Sequence, residues 1–180
     1  EVNFFPYILD IADYLGSAKV DNSGKVIEEN RSAHQWRRVK YSYMDCRRLA
    51  NLTGKTILGT QKIWDTRLVS HLMIWAKENA KSELVPLIQY VFERFWKREL
   101  DIEEGETMEM ILKEFNLDYK AFLSWKKKNG KESLDKIMGK ALERGIFGVP
   151  TYVYEDEIFW GRENLSIIRG RVTGDYKNVI

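Results

Sequence analysis

The sequence predicts a helix-rich α/β protein in which a block of helices about a hundred residues long separates an early strand from a late hairpin. Residues 36–144 repeat apolar side chains at helical spacing. Thr151–Tyr154 and Ile158–Trp160 are β-branched and aromatic around the acidic turn Glu155–Glu157, which predicts a hairpin. Val2–Phe5 is a short apolar segment of extended character.

The first 35 residues alternate short apolar segments with turn residues. Pro6 ends the first segment, and apolar residues between Ile8 and Leu15 then recur with roughly helical spacing up to Gly16. Asp21–Gly24 has the composition of a turn, and the polar stretch from there to Gln35 is predicted to be a surface loop.

The middle block divides at glycine and asparagine positions. Gly54 ends the first amphipathic helix, and Asn129-Gly130 is predicted to separate the last two helices of the block. Cys46 lies on the apolar stripe of the first helix and is predicted to be a buried structural thiol. Asp65 is predicted to cap the second helix. The predicted helices are Trp36–Leu52, Trp64–Lys77, Ser82–Trp96, Met108–Phe115, Tyr119–Lys127, Ser133–Arg144 and, after the hairpin, Asn164–Val172.

Composition excludes several classes of protein. The 180 residues carry 29 basic and 27 acidic side chains that are interspersed, so we expect no nucleic-acid partner. One cysteine excludes an internal disulfide and a C-x-x-C pair within this sequence, and with two distant histidines it cannot form the usual zinc sites. No apolar run reaches the length of a membrane span and no leader pattern is visible, so we expect a cytoplasmic protein with no membrane partner and no metal.

The segment before the hairpin contains the most informative pattern. Gly145 is predicted to end the preceding helix with a positive φ angle. Val149 precedes a proline and is therefore biased towards extended backbone. Pro150 directly before a strand has two interpretations: it begins an edge strand, or it marks a cis peptide bond.

Phe147–Thr151, followed by Phe159–Gly161 and a polar pair, resembles the C-terminal half of the thioredoxin-like domain in the DsbA superfamily. The likeness is closest to the branch that holds 2-hydroxychromene-2-carboxylate isomerase and the kappa-class glutathione transferases. It implies an α/β, thioredoxin-like fold with a large all-helical insertion. Residues 1–35 and 145–180 would form the thioredoxin-like part, incomplete at the N-terminus, and residues 36–144 the helical insertion.

The same resemblance implies a glutathione site. The proline of that branch is cis, and the residue before it offers its backbone to glutathione, which points to Val149 and Pro150. Lys40 matches the lysine that pairs with a glutathione carboxylate, although it is equally explained as a solvated helix charge. Arg162 and Glu163 match the polar pair that holds the γ-glutamyl end at a helix N-terminus, or they are an exposed turn and a helix-initiating acid. The family usually has a small or amide residue followed by Asp there, so the Arg-Glu pair departs from its pattern.

The family's activating serine lies in a Ser-Pro-aromatic turn after the first strand, and this sequence has no Ser-Pro dipeptide. Tyr7–Leu15 matches the second strand and the turn after it. We therefore expect either about 30 further residues upstream or a shortened member of the family, and no catalytic residue is assigned.

The resemblance implies a glutathione-dependent isomerase or transferase that acts on a small hydrophobic or aromatic electrophile. Glutathione would be a cofactor or co-substrate, and a homodimer is implied by the relatives alone. Two alternatives stay open. One is a non-catalytic thioredoxin-like binding module, and the other is a DsbA-type disulfide oxidoreductase, which requires an upstream C-x-x-C pair.

Overall fold

A computed structural model describes residues 2–21 and 23–176 of the chain. The chain forms two compact units, Glu1–Leu134 and Asp135–Ile180, and each is described by itself. The predicted domain boundaries at residues 36 and 145 stay a prediction.

The first unit begins without a strand. Residues 2–10 have no regular secondary structure, so the early strand predicted over Val2–Phe5 and the strand matched to Tyr7–Leu15 are wrong. Lys77 instead fixes this segment: its Nζ donates to the carbonyl of Phe4 at 2.7 Å and lies 3.2 Å from the ring centroid of Phe5. The segment is therefore held by the side chain of Lys77 and not by hydrogen bonds to a neighbouring strand, which its apolar composition had suggested.

A short helix and a hairpin follow. Helix α1 spans Ile11–Leu15, and strands β1 (Ala18–Val20) and β2 (Val26–Glu29) pair antiparallel. Helix α1 lies within the segment of predicted helical spacing that ends at Gly16, and the predicted turn at Asp21–Gly24 connects the two strands. The surface loop predicted from that turn to Gln35 is wrong over β2. The carboxylate of Asp21 accepts the backbone N–H groups of Ser23 and Lys25 and so builds the turn. Every residue of β2 is exposed, so the sequence carried no apolar alternation from which to predict it.

The helices of the first unit follow the predicted order with shifted ends. Helix α2 begins with a capping box between Ser32 and Gln35, three residues before its predicted start. The observed helices are α2 (Ala33–Leu52), α3 (Arg67–Asn79), α4 (Leu84–Trp96), α5 (Gly105–Glu114), α6 (Tyr119–Trp125) and α7 (Lys131–Glu143), and a 3₁₀ turn, Lys81–Glu83, precedes α4.

The predicted break at Asn129-Gly130 is wrong. Residues Lys126–Gly130 form a π-helical turn that connects α6 directly to α7. Gly130 is buried, and a Cβ atom added to it would lie 3.4 Å from Cδ2 of His71 on α3. The glycine therefore lies buried against α3 within a helical segment rather than in a turn.

The core of the first unit is helical. Phe122 is fully buried and packs edge-on against Trp75, with 5.9 Å between the ring centroids. The buried cluster draws on α3, α4, α5 and α6 and consists of Leu72, Trp75, Ala76, Leu84, Leu87, Val91, Leu100, Ile102, Met108, Ile111, Leu112 and Phe122.

Residues 53–66, which we call loop 53–66, have no regular secondary structure. Two arginines outside the loop bind its backbone carbonyls. Arg47 of α2 donates to the carbonyls of Ile57 and Leu58, both at 3.0 Å. Arg98, in the left-handed region with φ 61°, donates to the carbonyls of Gly59 and Leu58 at 3.0 and 3.2 Å. The two arginines thus satisfy backbone acceptors that the loop cannot pair internally.

The predictions that Cys46 is buried and that Asp65 caps α3 are wrong. Cys46 is exposed rather than buried, because the helix buries little beyond Ala50. Thr66, not Asp65, occupies the N-cap position of α3. The Asp65 carboxylate nevertheless accepts the backbone N–H of Arg67 at 2.9 Å, and this hydrogen bond lowers the pKa of Asp65.

The second unit holds the later part of α7, a hairpin and a closing helix. Gly145 ends α7 with φ 72°, as predicted. Strands β3 (Thr151–Tyr154) and β4 (Glu157–Trp160) pair antiparallel with Thr151 opposite Trp160, which confirms the predicted hairpin. A 3₁₀ turn, Arg162–Asn164, leads into α8 (Leu165–Thr173).

None of the helices within residues 2–21 and 23–176 combines the length and apolar character that crossing a bilayer requires.

Candidate functional site

The candidate site is the segment around Val149 and Pro150 at the start of β3. The Val149–Pro150 peptide bond is cis. Hydrogen bonds fix the residues on either side: the Thr151 hydroxyl donates to the carbonyl of Gly148 at 2.6 Å, and the N–H of Gly161 donates to the carbonyl of Pro150 at 2.9 Å. The hairpin ladder therefore extends one residue beyond β3 and holds this turn in place.

Val149 lies at the surface of the second unit. The residue is 48% exposed, and neither its N–H nor its C=O has a hydrogen-bonding partner among the described residues. Every backbone donor and acceptor needs a partner, from the protein, from water or from a ligand. An extended peptide could pair with these two groups as an added strand does at a sheet edge.

An exposed apolar surface adjoins this backbone. The rings of Phe147 and Trp160 lie 5.1 Å apart and are 61% and 50% exposed. A Cβ atom on Gly148 would lie 2.7 Å from Nε1 of Trp160, so the glycine permits the close contact. Trp160 thus lies on an open surface.

Arg162 and Glu163 lie on the 3₁₀ turn that precedes α8, and both are exposed. Asn164 closes the turn by donating from its side chain to the carbonyl of Trp160 at 2.5 Å. The Glu163 carboxylate folds back over Gly161, where it would collide with any added Cβ atom. The start of α8 thus carries one cation and one anion, so it does not favour a purely anionic group as the free helix N-terminus alone would.

Lys40 belongs to the first unit. It is an exposed residue of α2, and its Nζ lies 5.8 Å from the ring centroid of Trp36. The guanidinium of Arg31 lies 5.1 Å from the same ring, and the indole N–H of Trp36 donates to Glu29. This cation–aromatic group was not foreseen from the sequence, because Glu29 and Arg31 fell in a region predicted to be a featureless loop.

The structure therefore gathers four of the five predicted glutathione-site residues in the second unit: Val149, Pro150, Arg162 and Glu163. Their predicted role, like that of Lys40, stays a prediction. Among the described residues, no group of His, Cys, Asp and Glu side chains could hold a metal ion.

A cavity of about 190 Å³ lies elsewhere, in the first unit. Gly59, Trp64, Phe95 and Arg98 are among its lining residues. It is smaller than typical small-molecule sites, and it contains none of the residues that the sequence singled out as ligand-binding.

Comparison with known proteins agrees with this architecture. A solved structure of 2-hydroxychromene-2-carboxylate isomerase matches with a TM-score of 0.66 over 79% of this chain and 70% of that chain, at 21% sequence identity. At that identity the likeness shows the fold. No curated protein matches the sequence. The family model of the DSBA-like thioredoxin domain matches residues 14–172, and the chain therefore belongs to the family of DsbA-like thioredoxin domains.

Proposed function

We propose that this protein is a glutathione-dependent isomerase or transferase that acts on a small hydrophobic or aromatic electrophile. The observation that carries the proposal is that Val149 is an exposed residue whose N–H and C=O have no hydrogen-bonding partner within the described residues. Glutathione is an extended tripeptide, and its backbone offers the complementary acceptor and donor. The similar fold of 2-hydroxychromene-2-carboxylate isomerase supports this reaction class.

The other residues of the second unit fit the ends of this ligand. The γ-glutamyl end carries both an ammonium and a carboxylate group. In the proposal Arg162 binds the carboxylate and Glu163 the ammonium, so the Arg-Glu pair matches a zwitterion rather than a lone anion. Lys40 is proposed from the resemblance alone to pair with a carboxylate of the ligand.

Bound glutathione would supply a thiol whose thiolate form is the nucleophile. The protein's described residues would bind and orient it. The apolar faces of Phe147 and Trp160 would shelter an aromatic electrophile from water, since both rings are exposed beside Val149.

Calorimetric titration with reduced glutathione tests the proposal. We expect saturable binding that Arg162→Ala weakens by about tenfold, because it removes a charge-assisted hydrogen bond. Arg169→Ala is the matched control, since Arg169 is an exposed arginine of α8 outside the site. Lys40→Ala, with Arg38→Ala of α2 as its control, tests Lys40 in the same assay. Equal binding by Arg162→Ala and the parent would remove Arg162 from the site, and no binding by the parent would refute the glutathione assignment.

A non-catalytic binding module is the second candidate, favoured by the departure at Arg162 and Glu163 from the family's usual pair. It predicts that no glutathione conjugate or isomerised product forms with small aromatic electrophiles, even when glutathione binds. Turnover in that assay would exclude it.

A further inference from the structure

The segment Tyr119–Lys131, which we call the lysine segment, concentrates positive charge. It contains five lysines and no acidic residue. The whole chain is close to balanced, with 29 basic and 27 acidic side chains. The concentration is therefore a local feature that the overall charge does not reveal.

Packing turns the lysines outward. Trp125 donates its indole N–H to Glu78 of α3 at 2.9 Å, and Gly130 lies buried beside His71 of the same helix. These two contacts seat the π-helical turn on α3. Lys127 and Lys128, which lie between them, are exposed.

Four of the five lysines lack a carboxylate partner among the described residues. Within the described part of the chain, Lys120, Lys126, Lys127 and Lys128 form no ion pair, whereas Lys62, for example, is paired with Glu103. Two carboxylates near the segment have other hydrogen bonds. Asp118 caps α6 by accepting the backbone N–H groups of residues 120 and 121 at 2.8 and 3.1 Å, and Glu78 accepts from Trp125.

An apolar side chain lies within this cationic surface. Leu123 is 41% exposed, and it lies one helical turn after Lys120 on α6. The aromatic residues of the segment are already engaged: Phe122 is fully buried, the Tyr119 hydroxyl donates to the carbonyl of Gly105 at 3.2 Å, and Trp125 is bonded to Glu78.

We propose that the lysine segment docks the protein on the surface of a bilayer that contains anionic phospholipid, with Leu123 in the interfacial region. Lysine clusters are attracted to anionic leaflets, and an apolar side chain among them adds interfacial burial. Single-stranded nucleic acid would need free aromatic faces for stacking, and the aromatic residues of this segment are occupied. This contact is peripheral, so it is compatible with the absence of a spanning helix in the described residues. The proposal is independent of the glutathione site.

Co-sedimentation with vesicles tests it. We expect the protein to bind vesicles of phosphatidylcholine mixed with phosphatidylserine, and not vesicles of phosphatidylcholine alone, with binding that weakens as the salt concentration rises. The triple variant Lys126→Gln, Lys127→Gln, Lys128→Gln should bind about a hundredfold more weakly, since each lysine near such a surface contributes about fivefold. The control Lys25→Gln, Lys97→Gln, Lys113→Gln changes the net charge equally and should bind as the parent does.

Leu123→Gln separates a bilayer from a soluble polyanion. It should weaken vesicle binding roughly fivefold, because interfacial burial of the side chain is lost, while retention on a heparin column is unchanged. No binding to the phosphatidylserine vesicles, or equal losses in both triple variants, would overturn the proposal. Vesicle binding that is insensitive to Leu123→Gln and is displaced by single-stranded RNA would overturn it in favour of a nucleic-acid partner.

Discussion

Replacing Glu103 by glutamine tests how loop 53–66 is held. One carboxylate makes two contacts with the loop: Oε2 accepts from Nζ of Lys62 at 2.5 Å, and Oε1 accepts the backbone N–H of Asp65 at 2.7 Å. Lys62 also lies 4.4 Å from the ring centroid of Trp64. The loop's C-terminal part therefore depends on a residue that lies far along the chain.

The size of the effect follows from the exposure of the pair. A hydrogen bond to a charged group contributes about 1.5–3 kcal/mol when it is shielded from water. The side chains of Lys62 and Glu103 are 35% and 29% exposed, so solvent screening reduces this value. We expect Glu103→Gln to lower the free energy of unfolding by about 1–2 kcal/mol, or the melting temperature by about 3–6 °C.

The pH dependence supplies a second signature. The hydrogen bond with Glu103 raises the pKa of Lys62 above its ordinary value of 10.5. A cation with a raised pKa contributes stability fully below the ordinary pKa and loses it as the pH rises through the raised one. The parent and Glu103→Gln should therefore differ at neutral pH and converge at strongly alkaline pH.

Urea unfolding followed by tryptophan fluorescence measures both quantities. Glu104→Gln is the matched control, because Glu104 is an exposed neighbour whose side chain does not cap α5. A double-mutant cycle with Lys62→Met should give a coupling of about 1 kcal/mol between Lys62 and Glu103. Equal stabilities for Glu103→Gln and Glu104→Gln, or a coupling near zero, would refute the reasoning.

Two further predictions concern the same unit. Phe122→Ala should lower the free energy of unfolding, measured in urea, by about 3–5 kcal/mol, because it opens a cavity in the core. Leu123→Ala, at the exposed neighbouring position, should lower it by less than about 1 kcal/mol. Similar losses in both variants would show that residue 122 is not in the core. The hydrogen bond from Lys55 lowers the pKa of Glu93, so the stability from this pair is present above the ordinary carboxyl pKa and is lost as the pH falls through the lowered one. Lys55→Met should move the carboxyl titration of Glu93 upwards in an NMR pH series, and an unchanged titration would contradict the assignment.

Elements with strong local patterns could be predicted from the sequence. The hairpin from Thr151 to Trp160 combines β-branched and aromatic residues with a preceding proline, and its strands appear within one residue of their predicted ends. The long helices were found because their apolar spacing persists over several turns, although the ends of α3 shifted by up to three residues.

The remaining features depend on contacts that sequence spacing does not encode. Gly130 looked like a helix break, but burial against His71 keeps the helical segment continuous. Cys46 followed an apolar stripe that the fold leaves at the surface. At the candidate site, the Val-Pro sequence before the hairpin pointed to Val149. That the Val149 backbone is unpaired depends on the hairpin register, in which the N–H of Gly161 bonds to the carbonyl of Pro150 instead.

Loop 53–66 has a consequence for how relatives of this protein should vary. Arg47 and Arg98 hold the loop by binding main-chain carbonyls. These contacts do not depend on which side chains residues 57 and 58 carry. Homologues should therefore tolerate substitutions at residues 57 and 58 while they retain the two arginines. Alignments that score the loop's own residues would judge such homologues more distant than their folded structures are.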